Sequence, residues 1–260
     1  MENLRRYGVK PYRVAVIHGG PGAPGEMAPL ARELAPTMGV IEPFQTADTV
    51  EKQVEELKTI LERNADIPVT LVGYSWGAWL GFIVAARYPS VVRRLILVSS
   101  GPFEETYSRG IMKARLDRLG DEEKREVLSL IESFDDSGSG NMNKKMERFG
   151  QLISKADSYD PLPHPDEIIE VRFHIFQCVW KDAEELRRSG ALLRLGKNIQ
   201  CPVVAIHGTY DPHPAEGVQK PLSRVLKDFR FVLLQNCGHT PWLERQAKAK
   251  FYEVLKGECV

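Results

Sequence analysis

The sequence predicts an α/β protein: a mostly parallel sheet with helices on both faces, and a helical segment inserted into the chain. Two observations predict it. Short, nearly continuous apolar runs, such as Val14-Ala15-Val16-Ile17 and Leu95-Ile96-Leu97-Val98, alternate with helical patterns, the texture of strands buried on both faces. From Phe103 to Asn198 that texture stops, and the chain reads as helical and heavily charged. The expected division is therefore a sheet-bearing core of 1–101 and 199–260, with an insertion of 102–198.

The elements follow in order. Tyr12 to Ile17 reads as a β-branched strand that stops at the loop His18-Gly19-Gly20-Pro21-Gly22-Ala23-Pro24-Gly25. Only Met1 to Pro11 precede it, so any strand before Tyr12 is expected to be shortened or absent. Glu26 to Thr37 has helical spacing, Val40-Ile41 marks a short strand, and Thr49 to Arg63 is an amphipathic helix. Val69 to Tyr74 is a strand that runs through Gly73-Tyr74-Ser75-Trp76-Gly77 into a helix ending near Tyr88, and Arg93 to Ser99 is the next buried strand. Within the insertion, helices are expected over Thr106–Leu119, Glu122–Phe134, Asn141–Lys155 and Glu167–Leu195, the last one broken. Turn-rich loops at Asp135–Gly140 and Tyr159–Pro165 separate them. Strands return at Cys201–Ile206 and Phe229–Leu234, and helices follow at Ala215–Lys227 and Trp242–Leu255.

Bulk properties exclude several classes. Lys+Arg and Asp+Glu both total 35, so there is no net field to attract nucleic acid or an anionic membrane. No apolar stretch reaches the length of a membrane span or follows the charged start as a signal peptide would, so the cytoplasm is the expected location. Cys178, Cys201, Cys237 and Cys259 lack paired spacing and read as free thiols.

Gly-x-Ser-x-Gly between a strand and a helix is the sequence form of a nucleophile elbow. Alone it is weak, since a chain of this length matches it by chance about one time in ten. Its company is what matters. Ser75, Asp211 and His239 each follow a predicted parallel strand, where open α/β sheets build their sites, and they occur in the order Ser, Asp, His.

With these residues placed, the chain resembles the α/β-hydrolases that carry a helical cap. His18-Gly19-Gly20-Pro21-Gly22 is similar to the family's oxyanion loop and Gly73-Tyr74-Ser75-Trp76-Gly77 to its elbow. His207-Gly208-x-x-Asp211-Pro212 and Gly238-His239-x-Pro241 are similar to its acid and histidine loops. The resemblance implies Ser75 as nucleophile, His239 as general base and acid, and Asp211 as its orienting acid; Glu104 or Glu105, soon after the strand ending at Ser99, is the alternative acid. The resemblance also implies an oxyanion hole from the amides of Gly20 and Trp76; Tyr74, Trp180, Glu104 and Glu105 are the candidate substrate-binding residues. His18 and His207 are expected to organise their loops, and His164, His174 and His213 have no metal-ligand spacing.

The expected activity is a serine hydrolase acting on an ester or related acyl bond of a small molecule or short peptide, with no metal or organic cofactor. His-Gly-Gly-Pro-Gly together with Gly-x-Ser-Trp-Gly also resembles the prolyl iminopeptidases, whose cap carboxylates hold a free amine; Glu104, Glu105, Asp182, Glu184 and Glu185 are the acids available for this. A third reading is a ligand-binding protein that keeps the fold. The chain departs from the family after Val40-Ile41, where Glu42-Pro43-Phe44-Gln45-Thr46-Ala47-Asp48 replaces the usual Asp-x-x-Gly-x-Gly-x-Ser turn, and the opening antiparallel strands are expected to be shortened or absent.

Overall fold

The computed structural model describes residues 3–134, 141–165 and 167–259; the turn-rich stretch Asp135–Gly140 lies outside them. In order the elements are β1 (Leu4–Tyr7), β2 (Tyr12–Ile17), α1 (Ala28–Leu34), β3 (Gly39–Pro43), α2 (Val50–Asn64), β4 (Val69–Tyr74), α3 (Trp76–Arg87) and β5 (Val92–Val98). The insertion contributes α4 (Ile111–Asp117), α5 (Asp121–Phe134), α6 (Met142–Asp157), α7 (Phe173–Arg188) and α8 (Ala191–Leu195). β6 (Val203–Gly208), α9 (Glu216–Val225), β7 (Phe229–Leu234) and α10 (Lys248–Cys259) complete the chain.

The strands form one sheet in the order β1-β3-β2-β4-β5-β6-β7. Every pairing is parallel except β1 with β3. Period-two alternation sends neighbouring strand residues to opposite faces, each covered by its own helices. Ile17, Leu71 and Leu97 pack with Val54, Leu57 and Leu61 of α2 and with α3, which is buried from Trp76 to Ala86. Val16, Val72 and Val98 pack with Leu30 and Leu34 of α1 and Phe251 and Leu255 of α10. α2 begins where the Thr49 side chain accepts the Lys52 amide hydrogen, a side-chain N-cap.

Three expectations are corrected and one is sharpened. The opening antiparallel part of the sheet is shortened rather than absent: β1 pairs Leu4 through Tyr7 with Pro43 through Val40. It was hidden because only Leu4 of Leu-Arg-Arg-Tyr is fully buried, as suits a short edge strand. The helix expected from Thr106 is α-helical only over α4, preceded by a 3₁₀ turn at Glu105–Tyr107. The helix expected from Glu167 starts at Phe173, because the preceding backbone bonds to the Gly/Pro loop instead: Ile169 N–H donates to Pro24 O (2.9 Å) and Arg172 N–H to Gly22 O (2.8 Å). The closing helix starts at Lys248, not Trp242. Pro241–Leu243 form one 3₁₀ turn, and Glu244 is drawn inward to 1% exposure.

The inserted helices divide between two environments. Leu119, Val127, Leu152 and Ala156 form a small core of their own, whereas Ile175, Val179 and Ala183 of α7 and Leu192 of α8 join the core beneath α2 and α3.

Candidate active site

Ser75 stands between the last residue of β4 and the first of α3, with φ 51° and ψ −112°. A residue with a Cβ reaches this region only when its surroundings hold it there. They do so by close backbone approach. A Cβ on Gly73 would meet the Gly77 carbonyl oxygen at 2.2 Å, and one on Gly77 would meet the carbonyl oxygens of Ile17 and His18 at 2.5 Å. The turn thus needs glycine on both sides of the serine.

Asp211 follows β6 and His239 follows β7. His239 Nε2 lies 3.1 Å from Ser75 Oγ, and His239 Nδ1 lies 2.8 Å from Asp211 Oδ2. An ionised carboxylate only accepts, so the proton on Nδ1 faces Asp211 and the lone pair on Nε2 faces Ser75. Burial alone would raise the Asp211 pKa; the neighbouring His239, His207 and His213, with the His213 hydrogen bond, hold it well below the usual carboxylate range. Burial alone would lower the His239 pKa, but Asp211's charge and hydrogen bond, helped by Asp157, carry it above 6.5.

Trp76 is the first residue of α3, so its amide has no carbonyl four residues back to bond. Its indole donates to Gln53 of α2 (3.0 Å). Gly20 lies in the loop after β2. His18 anchors that loop, with Nδ1 2.8 Å from Gly19 O and Nε2 accepting the Gln45 amide (3.3 Å); burial pushes its pKa down to about 4, so it is neutral.

The other expected residues are more fully engaged than the sequence implied. The Tyr74 ring packs 5.1 Å from the His239 ring and 4.7 Å from Trp242, with its hydroxyl 3.0 Å from Thr240 Oγ1. Trp180 stacks between Trp79 and Phe176 and donates to Glu184. Glu104 accepts from Arg224, and Glu105 from Arg187 and Ser108, so Asp211 is the carboxylate that the structure brings to His239. Cys237 is buried and its thiol pKa is raised by that burial, which suits packing.

Three residues that the sequence reading missed complete the surroundings. His213 Nδ1 lies 2.8 Å from Asp211 Oδ1, which the His213 amide also reaches (2.9 Å). The carboxylate of Glu244 accepts three backbone N–H groups, from Gly238 (3.0 Å), Tyr159 (2.8 Å) and Asp160 (2.8 Å). It ties the histidine loop to the chain leaving α6. Asp157 at the end of α6 accepts the His239 amide on its carbonyl (2.9 Å) and holds Arg115 through both carboxylate oxygens. For His213 the Asp-Pro-His-Pro spacing was a signal, read only as lacking metal-ligand spacing. Asp211, His213 and His239 in fact present ligand atoms within 4.8 Å of one another, so these are the residues that could hold a metal ion. Both imidazoles already bond to Asp211, so a cation there would compete with that arrangement.

Among the described residues no helix is long and apolar enough to cross a membrane. Comparison with known proteins agrees with the architecture. The chain is 26% identical over 201 residues, 74% of its length and 68% of the relative's, to the pimeloyl-[acyl-carrier protein] methyl ester esterase of Nitrosospira multiformis. It is 25% identical to the proline iminopeptidase of Heyndrickxia coagulans, over 89% of this chain and 85% of that protein. The crystal structure of VinJ superposes with a TM-score of 0.67 at 20% identity, covering 98% of this chain and 93% of that one. The model of the alpha/beta hydrolase family matches residues 14–253, and the chain belongs to that family.

Proposed function

We propose that the protein is a serine hydrolase that cleaves an ester or related acyl bond through an acyl-enzyme. The observation that carries this is the line Ser75 Oγ, His239, Asp211, with its two contacts of 3.1 and 2.8 Å. A serine hydroxyl is a weak nucleophile near neutral pH. Ser75 Oγ attacks the carbonyl carbon as its proton passes to His239 Nε2, and Asp211 stabilises the imidazolium that forms. The bond to the leaving group then breaks, and His239 returns the proton to it. Water repeats the sequence on the acyl-enzyme and frees Ser75.

Negative charge on the former carbonyl oxygen is assigned to the amides of Trp76 and Gly20; one such donor is worth roughly 3 to 4 kcal/mol of barrier. The segment 102–198 is proposed as the cap over this cleft, with Trp180 on its α7. The ester reading is supported by the likeness to a methyl ester esterase. The aminopeptidase reading has the likeness to a proline iminopeptidase, while the carboxylates that would hold a free amine each have a partner already: Glu104 has Arg224, Glu105 and Glu184 have Arg187, Glu185 has Arg188, and Asp182 has the Val50 amide. The four free cysteines support a cytoplasmic location.

The test is a panel of p-nitrophenyl esters and proline-arylamides assayed in parallel. Turnover of esters alone is expected; turnover of the arylamides alone would replace this reading with the aminopeptidase, and turnover of neither would overturn both.

A further inference from the structure

Asp211 serves two imidazoles. His239 takes Oδ2, while on Oδ1 the carboxylate accepts both the side chain and the backbone amide of His213. The Nδ1 of His213 must carry its proton, because its partner is an acceptor. His207 closes the arrangement from behind, with Nε2 2.8 Å from the His213 carbonyl oxygen. The His213 ring stands 4.6 Å from the His239 ring, and its side chain is 11% exposed.

The reaction proposed above makes no use of this second imidazole, and the amide of residue 213 alone would close the Asp211 turn. Two consequences follow from its hydrogen bond. The first is orientation: with Oδ1 held at two points, the carboxylate plane is fixed and Oδ2 faces His239 Nδ1. The second is basicity, since each donor on a carboxylate stabilises its charge and weakens its pull on other protons.

We propose that His213 is a positioning residue for the Ser75–His239 couple: by donating to Asp211 Oδ1 it fixes the acid's orientation and limits how tightly His239 holds the proton it takes from Ser75. The inference rests on the Ser75–His239–Asp211 reading.

The other ionisable groups facing the cluster are His207 of β6, Tyr74 of β4, Glu244 of the histidine loop, and the Arg115–Asp157 pair from α4 and α6. His213 adds no charge to them. Burial pushes its pKa down to about 4, so near neutrality it acts as a donor and not as a cation.

Three variants separate the donor from the ring. His213→Phe keeps an aromatic ring without the donor, His213→Asn keeps a donor close to the Nδ1 position without the ring, and His213→Ala removes both. The measurements are kcat and KM for an ester against pH, the rate of fluorophosphonate labelling, and the urea unfolding midpoint of each protein. In the parent, activity is expected to fall on the acid side as His239, its pKa raised above 6.5 by Asp211, becomes protonated. Losing the donor makes Asp211 a stronger partner for the imidazolium. In the Phe and Ala variants the midpoint of that fall therefore moves up by about half a unit or more, and kcat falls roughly tenfold at similar KM. His213→Asn is expected to keep the parent's midpoint. If the Phe variant does not fold, the Ala and Asn pair carries the comparison. Equal midpoints in parent, Ala and Asn, with Ser75 still labelled in the parent, would overturn the role of His213 and leave the triad standing; an unlabelled parent would overturn both.

Discussion

Ser75 is held in a strained backbone conformation, and His239 comes to it on a loop anchored mainly by another residue, Glu244. That side chain is 1% exposed, and the three amides it accepts come from two separate stretches of chain. Glu244→Ala would leave three backbone N–H groups without their acceptor. The Gly238 bond is buried and the other two are part-buried; a buried unpaired amide costs about 1–3 kcal/mol, so a loss of about that size in unfolding free energy is expected by urea denaturation. Glu244→Gln keeps one carbonyl oxygen and is expected to lose less. Equal stability of Glu244→Ala and the parent would remove Glu244 from the account.

At the scale of elements, the elbow and an inserted helix make opposite demands on glycine. Gly73→Ala drives a Cβ into the Gly77 carbonyl at 2.2 Å and is expected to abolish labelling of Ser75 or the fold itself. Gly150 lies on the exposed side of α6 with open space around its Cβ position. Gly150→Ala is accordingly expected to raise unfolding free energy by about 0.5–1 kcal/mol. Legibility in the sequence followed the same division. Elements whose residues meet a repeating environment, such as α2 with its single apolar stripe or β4 and β5 with both faces covered, were readable from local pattern. Elements decided by partners far along the chain were not. β1 exists because β3 offers an edge, Glu167 to Arg172 stays out of the helix where Pro24 and Gly22 accept the Ile169 and Arg172 amides, and α10 starts late because Glu244 is needed elsewhere. At the site, Ser75, Asp211 and His239 were legible because the elbow, acid and histidine loops mark them locally. His213, Glu244 and Asp157 were not, because their contacts cross from one loop or helix to another.

For the whole molecule, buried ionisable groups set how stability changes with pH. His18 and His213 are held neutral, their pKa values pushed by burial from 6.5 to about 4. Between those values the unfolded chain binds two protons that the folded chain refuses, so these groups make stability fall as pH falls. Glu42 acts in the opposite sense. Burial raises its pKa from 4.5 to about 7, so in that window the folded chain holds a proton that the unfolded chain releases. Two groups against one leave a net slope of about 1.4 kcal/mol lost per pH unit between roughly pH 6.5 and 4.5. Urea unfolding across this range measures the slope, and Glu42→Gln, by removing the opposing group, is expected to steepen it; a stability that rises on acidification would contradict the assignment. The central claim, that this fold exists here to make Ser75 a nucleophile, is tested most directly by treating the folded protein with a fluorophosphonate and locating the adduct by peptide mass spectrometry. The account predicts a single adduct on Ser75, absent from Ser75→Ala and strongly slowed in His239→Ala while both variants remain folded. A folded parent that takes up no label, or one that labels at a residue other than Ser75, would contradict it.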